Sequence, residues 1–292
     1  MKGSGLDPRV LAALVITTVF WASAFAGIRA GLDAYGPGQV ALFRFLVASA
    51  VLAAYAALAR MRLPERRDLP AVFLAGLLAF AVYHVALNYG EVTVSAGSAS
   101  ILIATAPVFT ALLAVAFLGE RLRALGWFGM GVSFLGSAMI SLGEGEGLRL
   151  DPNAALILLA ALSTSIYFVL QKPYLGKYGA LAFTTYAIWA STLLTLVYLP
   201  GLLSEVRTAP LGTTLAMVYL GVFPTAIAYV TYAYAFSRLP ATRAASFLYV
   251  IPVMAYVIAW LWLGEIPTLL SVVGGVVTLA GVLLVNIRRR RR

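Results

Sequence analysis

The sequence predicts an all-α integral membrane protein whose ten transmembrane helices form two inverted five-helix repeats. Three observations lead there. Hydrophobic residues make up 62% of the chain and charged residues 11%, against about 25% charged in a soluble domain. The apolar runs are continuous and about 20 residues long, enough to cross a bilayer as helices; they lack the apolar-polar alternation of barrel strands. The chain also repeats itself. Shifted by 145 residues without a gap, Tyr89 falls on Tyr234, Ala96 on Ala241, Ala99 on Ala244 and Pro107 on Pro252. Leu118-Gly119-Glu120 falls on Leu263-Gly264-Glu265, Gly129 on Gly274 and Gly136 on Gly281. Alanine and leucine matches carry little in so apolar a chain, but two prolines inside apolar runs and a shared LGE mark a duplicated unit.

Taken in order, the spans predicted for the first copy are 10–29, 37–59, 69–89, 95–118 and 123–142. Those of the second are 154–172, 178–200, 212–236, 242–263 and 268–287. Ala22-Ser23-Ala24 has the look of a signal-peptidase site, yet apolar residues continue to Ile28 and removing this helix would leave the copies unequal. The repeats are therefore 1–143 and 154–292, joined by a Gly- and acid-rich linker at 144–153.

With the N-terminus placed in the cytoplasm, the inner segments hold 17 Lys and Arg against 3 outside, Arg44 lying within span two. Without the terminal run of five arginines the ratio is still 12 to 3. Both termini are expected inside and the linker outside. An odd number of spans per copy turns the second copy upside down relative to the first, a construction that puts a solute site near the midplane between repeats. The net charge of +10 is spread over short loops instead of one soluble face, which argues against nucleic acid as a partner.

Several chemistries are missing. Without cysteine there are no disulfides and no thiolate metal sites. One histidine makes a zinc centre improbable. The Gly176-Lys177 pair lacks the spacing of a phosphate-binding loop, so neither ATP nor any cofactor is expected. No G-x-S-x-G occurs. His84 with Ser98 or Ser100 is a conceivable catalytic dyad, though intramembrane ionisable groups usually serve pathways.

The candidate site residues follow from polar and aromatic groups inside the spans. His84 and Asn88 share one face of span three with Glu91, and the repeat sets Tyr229 against His84 and Tyr232 on the equivalent face of span eight. These groups fit either ties between helices or a cavity wall. Ser163, Tyr167 and Gln171 form a polar stripe along span six that lipid cannot satisfy. Thr17, Trp21 and Phe25 repeat it more weakly in span one. Tyr83 and Thr105 complete the set, with Ser246 and Tyr249 a turn or so before Pro252. Pro107 and Pro252 are expected to kink spans four and nine, each freeing a carbonyl four residues earlier, as static bends or as hinges. Arg44 is expected to reach the outer interface, to pair with Asp33 or Glu91, or to meet a substrate carboxylate. Glu120 and Glu265 are expected to face the N-terminus of the helix that follows each. Gly129, Ser133, Ser137, Ser141, Gly274 and Gly281 form packing seams, either between halves or between protomers.

The five-plus-five spans, Arg44 within ALFRFLVASAVL, the block YGEVTVSAGSASILIATAPVFTALLAVAFLGERL and its copy resemble the EamA-type drug/metabolite transporter superfamily over essentially the whole chain. Length and aromatic-rich spans are also similar to the bacterial aromatic amino-acid exporters of the YddG type. The resemblance implies a secondary transporter in the bacterial inner (cytoplasmic) membrane, exporting small metabolites, including aromatic amino acids, by alternating access. The alternatives are a drug or other-metabolite carrier, a channel, or an intramembrane enzyme. A proton carried on Glu91 or His84 and a substrate gradient alone fit equally well, as do a monomer and a homodimer.

Overall fold

The computed structural model describes residues 6–94, 99, 102–143, 153–254 and 268–286. Ser98, Ser100, Glu265 and the linker residues 144–152 lie outside the described residues. Among the described residues every regular element is helical. Residues 6–143 include α1 (Pro8–Leu32), α2 (Pro37–Leu58), α3 (Arg66–Gly90), α4 (Ala106–Phe117) and α5 (Ala124–Gly143). Residues 153–286 include α6 (Ala154–Tyr178), α7 (Ala180–Glu205), α8 (Leu211–Arg238), α9 (Ala241–Met254) and α10 (Leu269–Asn286). Seven of these are long and apolar enough to cross a membrane, and α4, α9 and the Ala124–Ile140 stretch of α5 are shorter apolar helices.

Local chemistry sets the boundaries. Asp7 caps α1, its carboxylate accepting from the Arg9 amide at 2.8 Å, and Pro8 occupies the first turn where no donor is missed. Pro37 opens α2 in the same way. Between α6 and α7 a single residue turns the chain: Gly179 has φ +80°, a conformation that a side chain would strain.

The helices α5 and α10 pack antiparallel along a glycine seam. A Cβ on Gly129 would sit 2.8 Å from the Gly281 carbonyl oxygen, and one on Gly136 2.7 Å from that of Gly274. Between these points the Ser133 hydroxyl donates to the Thr278 carbonyl at 3.1 Å, and further along Ser271 donates to that of Ile140 at 3.2 Å. The seam therefore joins the two halves of one chain. Ser133 and Thr278 stand 145 residues apart, the offset of the sequence repeat. A second pair with that separation, His84 and Tyr229, meets at 3.2 Å. The pairing of elements is reciprocal too, α1 lying against α8 and α6 against α3.

Three expectations are corrected by the backbone. Pro107 does not bend a continuous span: the chain turns at Leu102–Thr105, and α4 starts beyond it with Pro107 in its first turn, where a missing N–H costs nothing. Pro252 likewise follows a 3₁₀ turn at Phe247–Tyr249. Nor does Glu120 face the helix that follows it. Its carboxylate accepts from the Ala241 amide at 2.6 Å and from the Thr242 amide and hydroxyl at 3.0 Å each, capping α9 of the other half.

What the sequence did not predict is a pair of π turns, Leu77–Val82 inside α3 and Gly221–Ile227 inside α8. Pro224 is the local cause of the second. It has no N–H for the Leu220 carbonyl, and the Thr225 hydroxyl donates to that oxygen instead, at 2.8 Å. In the first, the loosened Leu78 carbonyl accepts from Ser163 at 2.8 Å.

Candidate functional site

A cavity of about 60 Å³ is lined by α1, α2, α3, α6, α8, α9 and the turn before α4, with the α3 and α8 lining residues lying just past the two π turns. Its lining is mostly apolar and aromatic: Trp21, Phe25, Ile28, Leu87, Ile103, Phe168, Leu248 and Ile251, with Arg44, Tyr83, His84, Thr164 and Tyr229 as the polar members. Trp21 is held in place by its indole N–H, which donates to the Pro224 carbonyl at 3.0 Å, another consequence of the π turn. Its ring packs on Tyr229 and Tyr232 at centroid separations of 4.9 and 5.0 Å. Tyr229 meets Phe80 at 4.5 Å, and Phe168 meets Tyr232 at 4.9 Å. Such tilted and edge-on pairs hold the wall rigid.

One polar chain crosses this apolar site. Arg44 is 1% exposed. Gly221 makes room for it, since a Cβ there would lie 2.8 Å from the Arg44 carbonyl oxygen and 2.5 Å from Val47. The guanidinium Nε donates to Thr225 Oγ1 at 2.8 Å and Nη1 donates to His84 Nδ1 at 3.2 Å. Because a guanidinium can only donate, Nδ1 is an acceptor and the imidazole is neutral, with its proton on Nε2. That proton points at the Tyr229 hydroxyl, 3.2 Å away, which in turn donates to the Ala79 carbonyl at 3.5 Å. Arg44 therefore neither reaches an interface nor pairs with Asp33 or Glu91. Among the described residues, ion pairs join Glu65, Arg67, Asp68 and Lys177, and none involves Arg44. A buried cation without a counter-ion costs about 3 kcal/mol even on the lenient membrane scale.

Of the residues singled out in the sequence, Trp21, Phe25, Arg44, Tyr83, His84, Tyr229 and Pro252 line the cavity. Tyr167 and Tyr232 stand behind that wall, both in contact with Phe168. Gln171 is buried farther along α6 with neither amide atom hydrogen-bonded. Asn88 ties helices instead, donating to the Pro37 carbonyl at 2.9 Å. Thr105 closes the turn before α4 by donating to Leu102 at 2.6 Å. Ser246 donates to Arg243 at 2.8 Å and accepts from Asn286 at 3.1 Å. Tyr249 is buried with Ala104, Met130 and Val282. Thr225 and Phe168 were not anticipated. Pro224, an interruption in an apolar run, was the available signal for Thr225.

Beyond the cavity, a groove of about 910 Å³ opens at the Arg29 end and is lined by Arg29, Asp33, Tyr35 and Glu91 among others. Glu91 lies one residue past α3, fully buried, and neither carboxylate oxygen has a hydrogen-bond partner. Arg29 donates to its backbone carbonyl at 3.2 Å. Burial pushes the Glu91 carboxyl up to about 8, with the charges of Arg29 and Arg44 opposing. Below the ordinary carboxylate value of 4.5 folded and unfolded chains both hold the proton. Between there and about 8 only the folded chain holds it, so stability falls with rising pH across that window and is level above it. Melting the detergent-solubilised protein at pH 5 and pH 8 is expected to show the higher midpoint at pH 5, and Glu91→Gln should flatten the difference. An identical difference in the variant would assign it to another group.

Comparison with known proteins returns one family model, described as the EamA-like transporter family, which matches twice, at residues 9–142 and 152–287. An uncharacterized transporter of Bacillus subtilis, YdfC, is 51% identical over 262 residues, covering 90% of this chain and 86% of that one. A probable terminal-alkyne amino-acid exporter of Streptantibioticus cattleyicolor is 44% identical over 282 residues, 96% of this chain and 95% of that one. An uncharacterized inner membrane transporter of Escherichia coli, YedA, is 31% identical over 247 residues, 83% and 79% of the two chains. A solved crystal structure superposes with a TM-score of 0.79 over 96% of both chains at 19% identity, a likeness of fold alone.

Proposed function

Since the chain belongs to the EamA-like transporter family, we propose that it exports small amphipathic metabolites, amino acids foremost, by alternating access through the cavity between two inverted five-helix repeats. It is a membrane transporter and not an enzyme; its partners are a small-molecule substrate and the lipid around it. The observation that carries the finer reading is the His84–Tyr229 contact. Two residues 145 apart touch in the cavity wall, as two equivalent positions do only near an axis relating the copies. Ser133 and Thr278 touch at the same separation on the antiparallel seam of α5 and α10, which supports a copy turned over relative to the first. A solute at the His84–Tyr229 contact is flanked by both halves, the position from which rocking one against the other exposes it to either side.

The amino-acid assignment draws on the relative named a probable terminal-alkyne amino-acid exporter and on the aromatic lining, which suits an apolar side chain. The excess of Lys and Arg on one side, 17 against 3, supports ten spans in a bacterial inner membrane with both termini cytoplasmic. The cavity of about 60 Å³ is well under the roughly 300–1,000 Å³ of a small-molecule pocket, so loading a substrate requires the walls to part. The turns that precede Pro107 and Pro252, at Leu102–Thr105 and Phe247–Tyr249, are the points we assign the hinge role.

In proteoliposomes, labelled phenylalanine is expected to show saturable uptake that is stimulated by unlabelled amino acid on the opposite side. Tyr229→Phe, which removes only the hydroxyl facing His84, should slow exchange roughly fivefold to tenfold with folded yield unchanged. Non-saturable flux would reject the carrier reading, and unaltered exchange in the variant would take the His84–Tyr229 pair out of the site.

A further inference from the structure

We propose that Arg44 is the carboxylate-binding residue of this cavity, so that the substrates are small monocarboxylates with an apolar body. The inference rests on the carrier reading above and adds the chemical group that the site recognises. Arg44 lines the cavity and is 1% exposed. Its hydrogen bonds account for two of the five N–H donors that a guanidinium carries, and both go to neutral groups. A tie from α2 to α3 and α8 needs no charge, since neutral amide donors can bond to Thr225 and His84 as well. Among the described residues the cavity lining holds no acidic group and Arg44 forms no ion pair, yet a charge is retained here.

The neighbours hold the guanidinium in place without neutralising it. Thr225 is fixed by its own bond to the Leu220 carbonyl, and His84 by Tyr229. Neutral imidazole beside the guanidinium leaves the site with one positive charge. A planar fork with unused donors, held rigid in apolar surroundings, matches a carboxylate in two parallel hydrogen bonds. Trp21, Phe25, Ile28 and Phe168 then surround whatever the carboxylate is attached to. Among the described residues no lining carboxylate is available to an ammonium group, which leaves it the hydroxyls of Tyr83 and Tyr229 and the aromatic faces.

The test uses the wild-type protein first and so does not depend on any variant folding. In proteoliposomes loaded with phenylalanine, counterflow uptake of labelled phenylalanine is competed with two panels. One holds phenylalanine, leucine and propargylglycine, and the other the primary amides of the same three. The acids are expected to compete at least roughly 100-fold better than their amides, and Arg44→Lys, which keeps the charge but not the fork, should lose a large part of that preference. Amides that compete as well as the acids would overturn the carboxylate inference while the saturable counterflow left the carrier reading standing. Absence of counterflow with any acid or amide would overturn both. An Arg44→Gln variant that folds and still prefers acids to amides would also overturn the assignment.

Discussion

Replacing Gly136 with alanine is expected to remove most of the folded protein. A Cβ at this position would stand 2.5 Å from Thr278 Oγ1, 2.7 Å from the Gly274 carbonyl oxygen, and against the Thr278 amide as well. Two of these three atoms are backbone, so no rotamer change relieves the clash and α5 must move away from α10. The shift stretches the Ser133–Thr278 bond and lifts Gly129 and Gly281 off each other. Overpacking of this kind costs about 3 kcal/mol, a large share of a marginal stability. Gly131 in the same helix is the control, because nothing lies within 4 Å of its added Cβ and alanine should gain slightly from helix propensity. Melting curves and monodisperse yield in detergent measure both. A Gly136→Ala protein that melts with the wild type would mean that the close approach of α5 and α10 is not what holds this seam.

Glu120→Ala is expected to unlatch one end of the molecule. The Glu120 carboxylate takes the Ala241 amide and both donors of Thr242, three bonds that bridge the two halves at the start of α9. Lys172 works at the same end, its ammonium donating to the carbonyls of Phe236 and Leu239. Losing the carboxylate strands the first donors of α9 in a partly buried position, a cost of about 2 kcal/mol. That moves an opening equilibrium by roughly 30-fold. The chain has no cysteine, so a thiol placed at the buried Ala244 is the sole target of a maleimide. Its labelling should speed up by at least tenfold in Glu120→Ala and only partly in Glu120→Gln, whose amide oxygen still accepts. Equal labelling rates would make Glu120 a surface cap with no hold on the conformation.

The same residues mark how far sequence reasoning reaches. Helix positions were legible because a bilayer demands long apolar runs whatever the neighbours are: α2 starts at Pro37 and α6 at Ala154, where the apolar runs begin. Gly129, Gly136, Gly274 and Gly281 were legible as a seam because small residues in an apolar helix signal close approach. Their partners were not, since a repeat in sequence does not state whether equivalents meet within one chain. Asn88 and Gln171 looked alike as polar residues inside spans, yet one bonds to the Pro37 carbonyl and the other has no partner. Side-chain type says that a polar group needs satisfying; the neighbouring helix decides whether it is satisfied.

By itself the sequence determined the apolar helices, the duplication at 145 residues and the residue types available to a site. These depend on hydrophobicity and on spacing along the chain, both local quantities. Only the tertiary structure decided that Glu120 caps a helix of the opposite half, that Arg44 rests on Thr225 and His84 without an acid, and that a π turn around Pro224 frees the carbonyls that position Trp21 and Thr225. Each is a pairing between groups far apart in the chain. Burial makes an unpaired polar group expensive, so which groups meet is settled by the packing of helices as a whole and not by any one stretch of sequence.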